Sequence, residues 1–312
     1  MVKKILSAIA ASAIVMQASA LASFNDINEY SSEYEAITEL EILGIAEGDE
    51  NGNFNPYDTV TRAEFTKMVI MALKEEQVAK SIKATHFKDC VEHWAAGYIE
   101  VGVSDGFING YSDDEFGPDD NVTYAQALKL LVSTIGYAAY AEAAGGWPNG
   151  YISYGGTLGI TKGISDVTSD TEINRKTAAI LVDNAIKIPI MMTVWDSPYG
   201  SGASNGYHLE KQDGKEGRAY ETLLTDRHKV YTVKGRITGT SRSDGLRKGY
   251  VNYQVESSDN FDGTAYSKYN PETFRMKVGS SDMTDFLFIY SEALVHKDEM
   301  TDEYTILTIK AK

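Results

Sequence analysis

Val60-Thr61-Arg62-Ala63-Glu64-Phe65 returns 62 residues later as a degraded copy, Val122-Thr123-Tyr124-Ala125-Gln126-Ala127. Its neighbourhood returns with it. Phe24-Asn25-Asp26-Ile27 opens the first copy and Phe87-Lys88-Asp89-Cys90 the second, Gly44 and Gly48 match Gly106 and Gly110, and Phe54-Asn55-Pro56 matches Phe116-Gly117-Pro118. A third, more eroded copy carries Gly159-Ile160-Thr161-Lys162-Gly163 and then Ile173-Asn174-Arg175-Lys176-Thr177, two residues closer together. Units of this size, used three times, stack to share a core.

Each unit reads as helix, loop, helix. In the first, Tyr34, Ile37, Leu40 and Ile42-Leu43 form an apolar stripe that stops at Gly44, a helix C-terminus. A polar loop, Gly48 to Pro56, follows. The second helix begins at Thr61 and buries Phe65, Met68, Val69, Ala72 and Leu73. Leu128, Leu131, Val132 and Ile135 repeat this face in the second unit, and Ile180, Leu181 and Ala185 in the third.

Thr61 as N-cap with Glu64 three residues on is a reciprocal capping box; Thr123 and Gln126 make the same pair, while Asn174 caps without a good partner at Thr177. A lost cap costs about 1 kcal/mol, enough to hold these residue types without any ligand. Capping does not explain arginine, which Arg62 and Arg175 share at the first helical position. Two readings are open. A helix N-terminus offers free backbone donors and a positive dipole end, and a guanidinium beside it adds a fork for a carboxylate, together a site for an acidic sugar or phosphate. The other reading is a surface ion pair with a nearby acid.

The 312 residues carry a formal charge of −16. Lys3-Lys4, an apolar stretch from Ile5 to Met16 and small residues through Ala22 read as a secretory signal peptide over residues 1–22. Its removal takes two lysines and no acid, leaving −18. So acidic a chain does not bind nucleic acid by counterion release, and no later apolar run approaches the roughly 20 residues of a membrane span. The lone cysteine, Cys90, excludes an internal disulfide framework and stands where Ile27 stands in the first unit, which reads as a small buried hydrophobe.

Pro189, Pro198 and Gly200-Ser201-Gly202-Ala203-Ser204 mark residues 191–217 as a linker. Beyond it, residues 218–312 read as a small all-β sandwich or barrel, with strands at Val230–Val233, Tyr250–Val255, Phe274–Val278 and Tyr304–Ile309 and a further candidate at Phe286–Tyr290. The five histidines fall at no metal-ligand spacing, the loop Asp49 to Asn53 lacks the glycine and the glutamate of a calcium loop, and no nucleophile elbow or phosphate loop is present. The reading is of no catalytic residues, no metal and no cofactor. Glu221, Asp226, Asp262 and Glu292 keep a polysaccharide-acting hydrolase open as an alternative.

Phe-x-Asp, the paired glycines, Asn-Gly-x-Phe-x-Pro and Val-Thr-Arg-Ala-Glu-Phe resemble the S-layer homology (SLH) repeat of bacterial surface proteins over about residues 24 to 190. The resemblance implies an α + β multidomain chain. Its SLH repeats fall at residues 23–83, 84–140 and 141–190 and form an all-α pseudo-threefold helical bundle with loop prongs, followed by the β domain. It implies noncovalent anchoring of a secreted protein through grooves that bind a secondary cell-wall polysaccharide carrying pyruvylated N-acetylmannosamine. The family's groove arginine passes to Arg62 and, in the third copy, to Arg175, with Lys176 beside it as a possible aid. Tyr124 departs from the pattern: it can stack on a sugar or offer a hydroxyl, but cannot neutralise a carboxylate. The candidate polymer-binding residues are therefore Thr61, Arg62, Glu64, Thr123, Tyr124, Gln126, Asn174, Arg175 and Trp147, the last as a loop platform for sugar stacking. Trp94, at the family's tryptophan position, is expected in the core. Self-association as a surface-layer subunit is the second function the resemblance leaves open.

Overall fold

A computed structural model describes residues 24–194, 206–209, 220–259, 261, 266–279 and 283–312; the signal-peptide segment lies outside them. Three first helices, α1 (Tyr34–Ile42), α4 (Ala96–Ser104) and α7 (Asn149–Leu158), alternate with three second helices, α2 (Arg62–Ala72), α5 (Tyr124–Thr134) and α8 (Arg175–Ile186). The short helices α3 (Glu76–Ser81) and α6 (Ala138–Ala143) follow α2 and α5. Each second helix packs against a first helix of the next unit in a cycle: α2 on α4, α5 on α7 and α8 on α1.

The cycle closes through backbone. Val60 N–H donates to the carbonyl of Ile173 (3.1 Å), Ile173 to Val122 (3.0 Å) and Val122 back to Val60 (2.9 Å). All three side chains are buried there. Two residues further on, the first N–H of each second helix is also taken: Arg62 donates to Asp120 O, Tyr124 to Thr171 O and Arg175 to Asp58 O, at 2.8 to 2.9 Å. Ala63, Ala125 and Lys176 donate likewise to Pro118, Ser169 and Pro56.

The repeated motif residues have separable structural tasks. Asp26 accepts from Phe54 N and Asn55 N, both 2.7 Å, and Asp89 accepts from Phe116 N and Gly117 N, so each acid pins its loop. Gly44, Gly106 and Gly159 take left-handed φ at helix ends. Gly48 and Gly110 leave room for the opening phenylalanines: a Cβ at either would lie 2.4 Å from the ring of Phe24 or Phe87. The loop from Asp49 is a turn, its carboxylate accepting from Asn51 N, Asn53 N and Asn55 Nδ2. Cys90 is fully buried, and burial beside Asp89 pushes its thiol up to about 12, which leaves it unreactive.

Within the stretch expected as a linker, β1 (Met191–Val194) and β2 (Gly206–Leu209) pair antiparallel. After the short helix α9 (Leu223–Asp226), five strands follow: β3 (Val230–Gly239), β4 (Tyr250–Asp259), β5 (Glu272–Lys277), β6 (Tyr290–Lys297) and β7 (Tyr304–Ala311). They close into a barrel in the order β3-β4-β5-β7-β6 around Val233, Tyr253, Val255, Met276 and Val295. The strand candidate at Phe286–Tyr290 is corrected. Thr284–Phe286 is a 3-10 turn, Phe288 takes φ 62° and sits exposed, and β6 starts only at Tyr290. The barrel is seated on the helices. Leu223, Leu224, Val230 and Leu294 join the helical core, and the buried His228, kept neutral by a pKa pushed down to about 4, donates from Nε2 to Ala72 O (2.9 Å).

Candidate functional site

The two arginines lie in two separate grooves built to one plan. Arg62 Nε donates to Phe116 O (3.0 Å), and its guanidinium lies 4.4 Å from the ring centres of both Tyr111 and Phe116. Arg175 Nε donates to Phe54 O (2.7 Å), one Nη donates to Glu47 O (2.8 Å), and the group lies 4.6 Å from the Phe54 ring. Each loop is therefore held from two directions: the aspartate accepts from its N–H groups, and the arginine of the neighbouring unit donates to its carbonyl. Burial lowers the pKa of Arg62, with Tyr111, Asp120 and Asp89 opposing that loss; an arginine stays charged under such a shift. Among the described residues neither arginine forms an ion pair, so the surface ion-pair reading fails.

The Arg62 groove, about 300 Å³, is also lined by Gln126, Lys129 and Trp147. The Arg175 groove, about 360 Å³, is lined by Glu64, Lys67 and Trp94. Gln126 and Glu64 are the third residues of their helices, Lys129 and Lys67 stand five residues after the arginine position, and Trp147 and Trp94 stand two residues before a first helix. Each groove thus draws its arginine from one unit, its loop and lysine from the next and its tryptophan from the third. Lys129 Nζ lies 5.5 Å from the Trp147 ring centre, and Lys67 Nζ reaches Glu47 only at 3.8 Å. A fixed fork, an ammonium at the rim and an exposed indole suit a sugar that carries a negative charge.

Trp94 is not core: it is 55% exposed, much like Trp147 at 50%. The free helix-end donors do not exist, because the first two N–H groups of each second helix bond to carbonyls of the adjacent unit and the third bonds to its cap. Thr61, Thr123 and Asn174 are caps at these ends. Lys176 does not assist Arg175; it pairs with Glu33 at 3.5 Å on the other side of α8. Tyr124 is buried, and burial raises its pKa against the opposing pull of a hydrogen bond to Thr161, so its ring lines neither groove. The position that would complete a third groove has lost every element: Tyr124 for the arginine, buried Ile180 for the lysine and Ser32 for the tryptophan. The lysines were missed by reading the sequence, although their fixed offset of five residues from the motif arginine position was there to find.

The grooves lie on a repeat region similar to S-layer homology domains. The sequence profile of the S-layer homology domain matches residues 23–66 and 86–128. The chain is an SLH-domain protein of the bacterial cell-wall surface. It is 26% identical to a surface layer protein of Brevibacillus choshinensis, over 99% of this chain and 29% of that protein. It is 32% identical to the middle cell wall protein of Brevibacillus brevis over 51% of this chain and 15% of that one, and 31% identical to an endoglucanase of a Bacillus over 36% and 12%. The chain spans less than a third of the length of these relatives.

Proposed function

We propose that residues 23–83, 84–140 and 141–190 act as three SLH repeats that hold the protein noncovalently on the cell wall. Its two complete grooves bind an anionic secondary wall polysaccharide of the pyruvylated N-acetylmannosamine type. The observation that carries this is the repeated set of arginine, lysine and tryptophan, converging from three units onto each groove with neither guanidinium in an ion pair among the described residues. The ketal carboxylate fits the guanidinium fork and the lysine, and the sugar face fits the indole. Two grooves on one polymer add avidity that neither has alone.

Cosedimentation with purified cell-wall sacculi tests it. Binding that disappears once acid extraction strips the secondary polymer supports the reading, and undiminished binding to stripped peptidoglycan contradicts it.

A second reading, a self-assembling surface-layer subunit, is favoured by one observation: the likeness to the Brevibacillus choshinensis protein runs through the barrel as well as the repeats. We read the chain as non-catalytic. Glu292 is held by Lys234, Lys310 and Lys312, Asp226 by Arg227, and Glu221 accepts from Thr225 Oγ1; Asp262 lies outside the described residues.

A further inference from the structure

The barrel carries a second surface with the chemistry of a binding site. Its strands run β3-β4-β5-β7-β6 with β3 pairing both β4 and β6, every contact antiparallel except that of β5 with β7. This is the arrangement of the five-stranded OB barrel, whose second and third strands, with the loops after the first and fourth, hold oligonucleotides or oligosaccharides. Here those parts are β4, β5 and the loops 240–249 and 298–303.

Their outward residues form one patch. Alternation on β4 buries Val251, Tyr253 and Val255 and turns Tyr250, Asn252 and Gln254 outward. Asn252 stands opposite Arg275 on β5, and Tyr250 opposite Lys277. Arg247, from the first loop, lies 5.7 Å over the Tyr250 ring. Glu303, from the other loop, accepts from Tyr250 Oη at 3.3 Å and pairs with Lys277, fixing the far side of the ring. Arg247, Lys248 and Arg275 are exposed and form no ion pair among the described residues. The acids of the second loop are already engaged, Glu299 by Lys229, Glu303 by Lys277, Asp302 by Lys297 and Asp298 by the N–H groups of Met300 and Thr301. In a chain with 45 acids against 29 lysines and arginines, three exposed cations without an ion pair among the described residues, one of them over the Tyr250 ring, run against the overall field.

We propose that this face is a second glycan site, taking an oligosaccharide that bears carboxylates. Arg247, Lys248 and Arg275 meet the acid groups, Asn252 and Gln254 bond hydroxyls, and Tyr250 carries a sugar face. A glycan is favoured over single-stranded nucleic acid because the patch offers one ring rather than a row of stacking platforms.

The test uses the full chain and a fluorescent hyaluronan oligosaccharide, with a thymidine 15-mer in parallel. Saturable hyaluronan binding is expected to survive Arg62→Ala with Arg175→Ala. It should weaken about tenfold or more in Arg247→Ser with Arg275→Ser, since each lost charge-assisted bond is a substantial part of so small a site. Both substitutions are at exposed positions, and an unchanged melting temperature shows that the barrel still folds. The proposal is overturned if hyaluronan does not bind, if binding vanishes with the groove substitutions, if the barrel substitutions leave it unchanged, or if the oligonucleotide binds more tightly. Wall cosedimentation of the Arg247, Arg275 variant keeps the two readings apart: its loss there belongs to the barrel, its persistence to the grooves.

Discussion

Two of the three positions around the pseudo-threefold axis are complete grooves and the third is filled from within. The Arg62 and Arg175 positions direct charge outward: guanidiniums stacked on loop aromatics, lysines at the rim, tryptophans half exposed. At the third position α8 spends its charges on α1 instead. Lys176 pairs with Glu33, and Lys187 joins Glu39 (2.6 Å) and Asp183 (2.8 Å), both carboxylates buried. At the matching depth in the other seams stand Ile70 with Val101, and Val132 with Tyr154. One scaffold thus leaves an open groove at two positions and pairs its charges internally at the third, and the difference rests on a handful of side chains.

The sharpest way to break that contrast is to remove both arginines. Arg62→Ala with Arg175→Ala is expected to lower wall retention by two to four orders of magnitude, since each lost charge-assisted contact is worth about 1.5–3 kcal/mol. The helical circular dichroism should be unchanged. Either single substitution should cost only its own groove.

A pH titration probes the third position alone. Burial, with Asp183 adding to it, raises the pKa of Glu39 to about 7 against the pull of Lys187. The folded chain therefore keeps a proton that the unfolded chain releases near 4.5. Stability from this group is full below that value, falls as pH rises to about 7 and is flat above it. The loss amounts to at most about 3 kcal/mol, from 1.36 kcal/mol per pKa unit. Denaturation midpoints between pH 4 and 8 should show this fall, and Glu39→Gln should flatten it.

Smaller effects separate the grooves from each other. Asp89→Ala removes the acceptor of Phe116 N and Gly117 N and should cost about 2 kcal/mol in urea unfolding, with loss confined to the Arg62 groove. Asp26→Ala should act in the same way on the Arg175 groove. The smallest effect is expected from Tyr124→Phe, which should leave wall retention unchanged, because that ring is buried and meets no ligand.

Legibility followed range. The repeat period, the capping boxes at Thr61 and Thr123, the apolar stripes and the two arginines are local patterns, and the sequence displayed them. The grooves were hidden because each combines three units: Lys129 reads as an ordinary surface lysine until Trp147 and Arg62 are brought beside it. Trp94 was misread for the same reason, as an aromatic beside a helix normally packs inward, yet here it borders a cavity made by the first and third units. The helix-end donors seemed free because their acceptors, Asp120, Thr171 and Asp58, lie in other copies. In the barrel, Phe286 to Ile289 has the composition of a strand, but the positive φ at Phe288 stops it from forming one.

The central claim is a count of sites, so the most direct measurement is calorimetric titration of the chain with the pyruvylated N-acetylmannosamine repeating unit of the wall polymer. Two sites per chain are predicted, falling to one in Arg62→Ala and one in Arg175→Ala. Three sites, or a site lost on substituting Tyr124, would contradict the account.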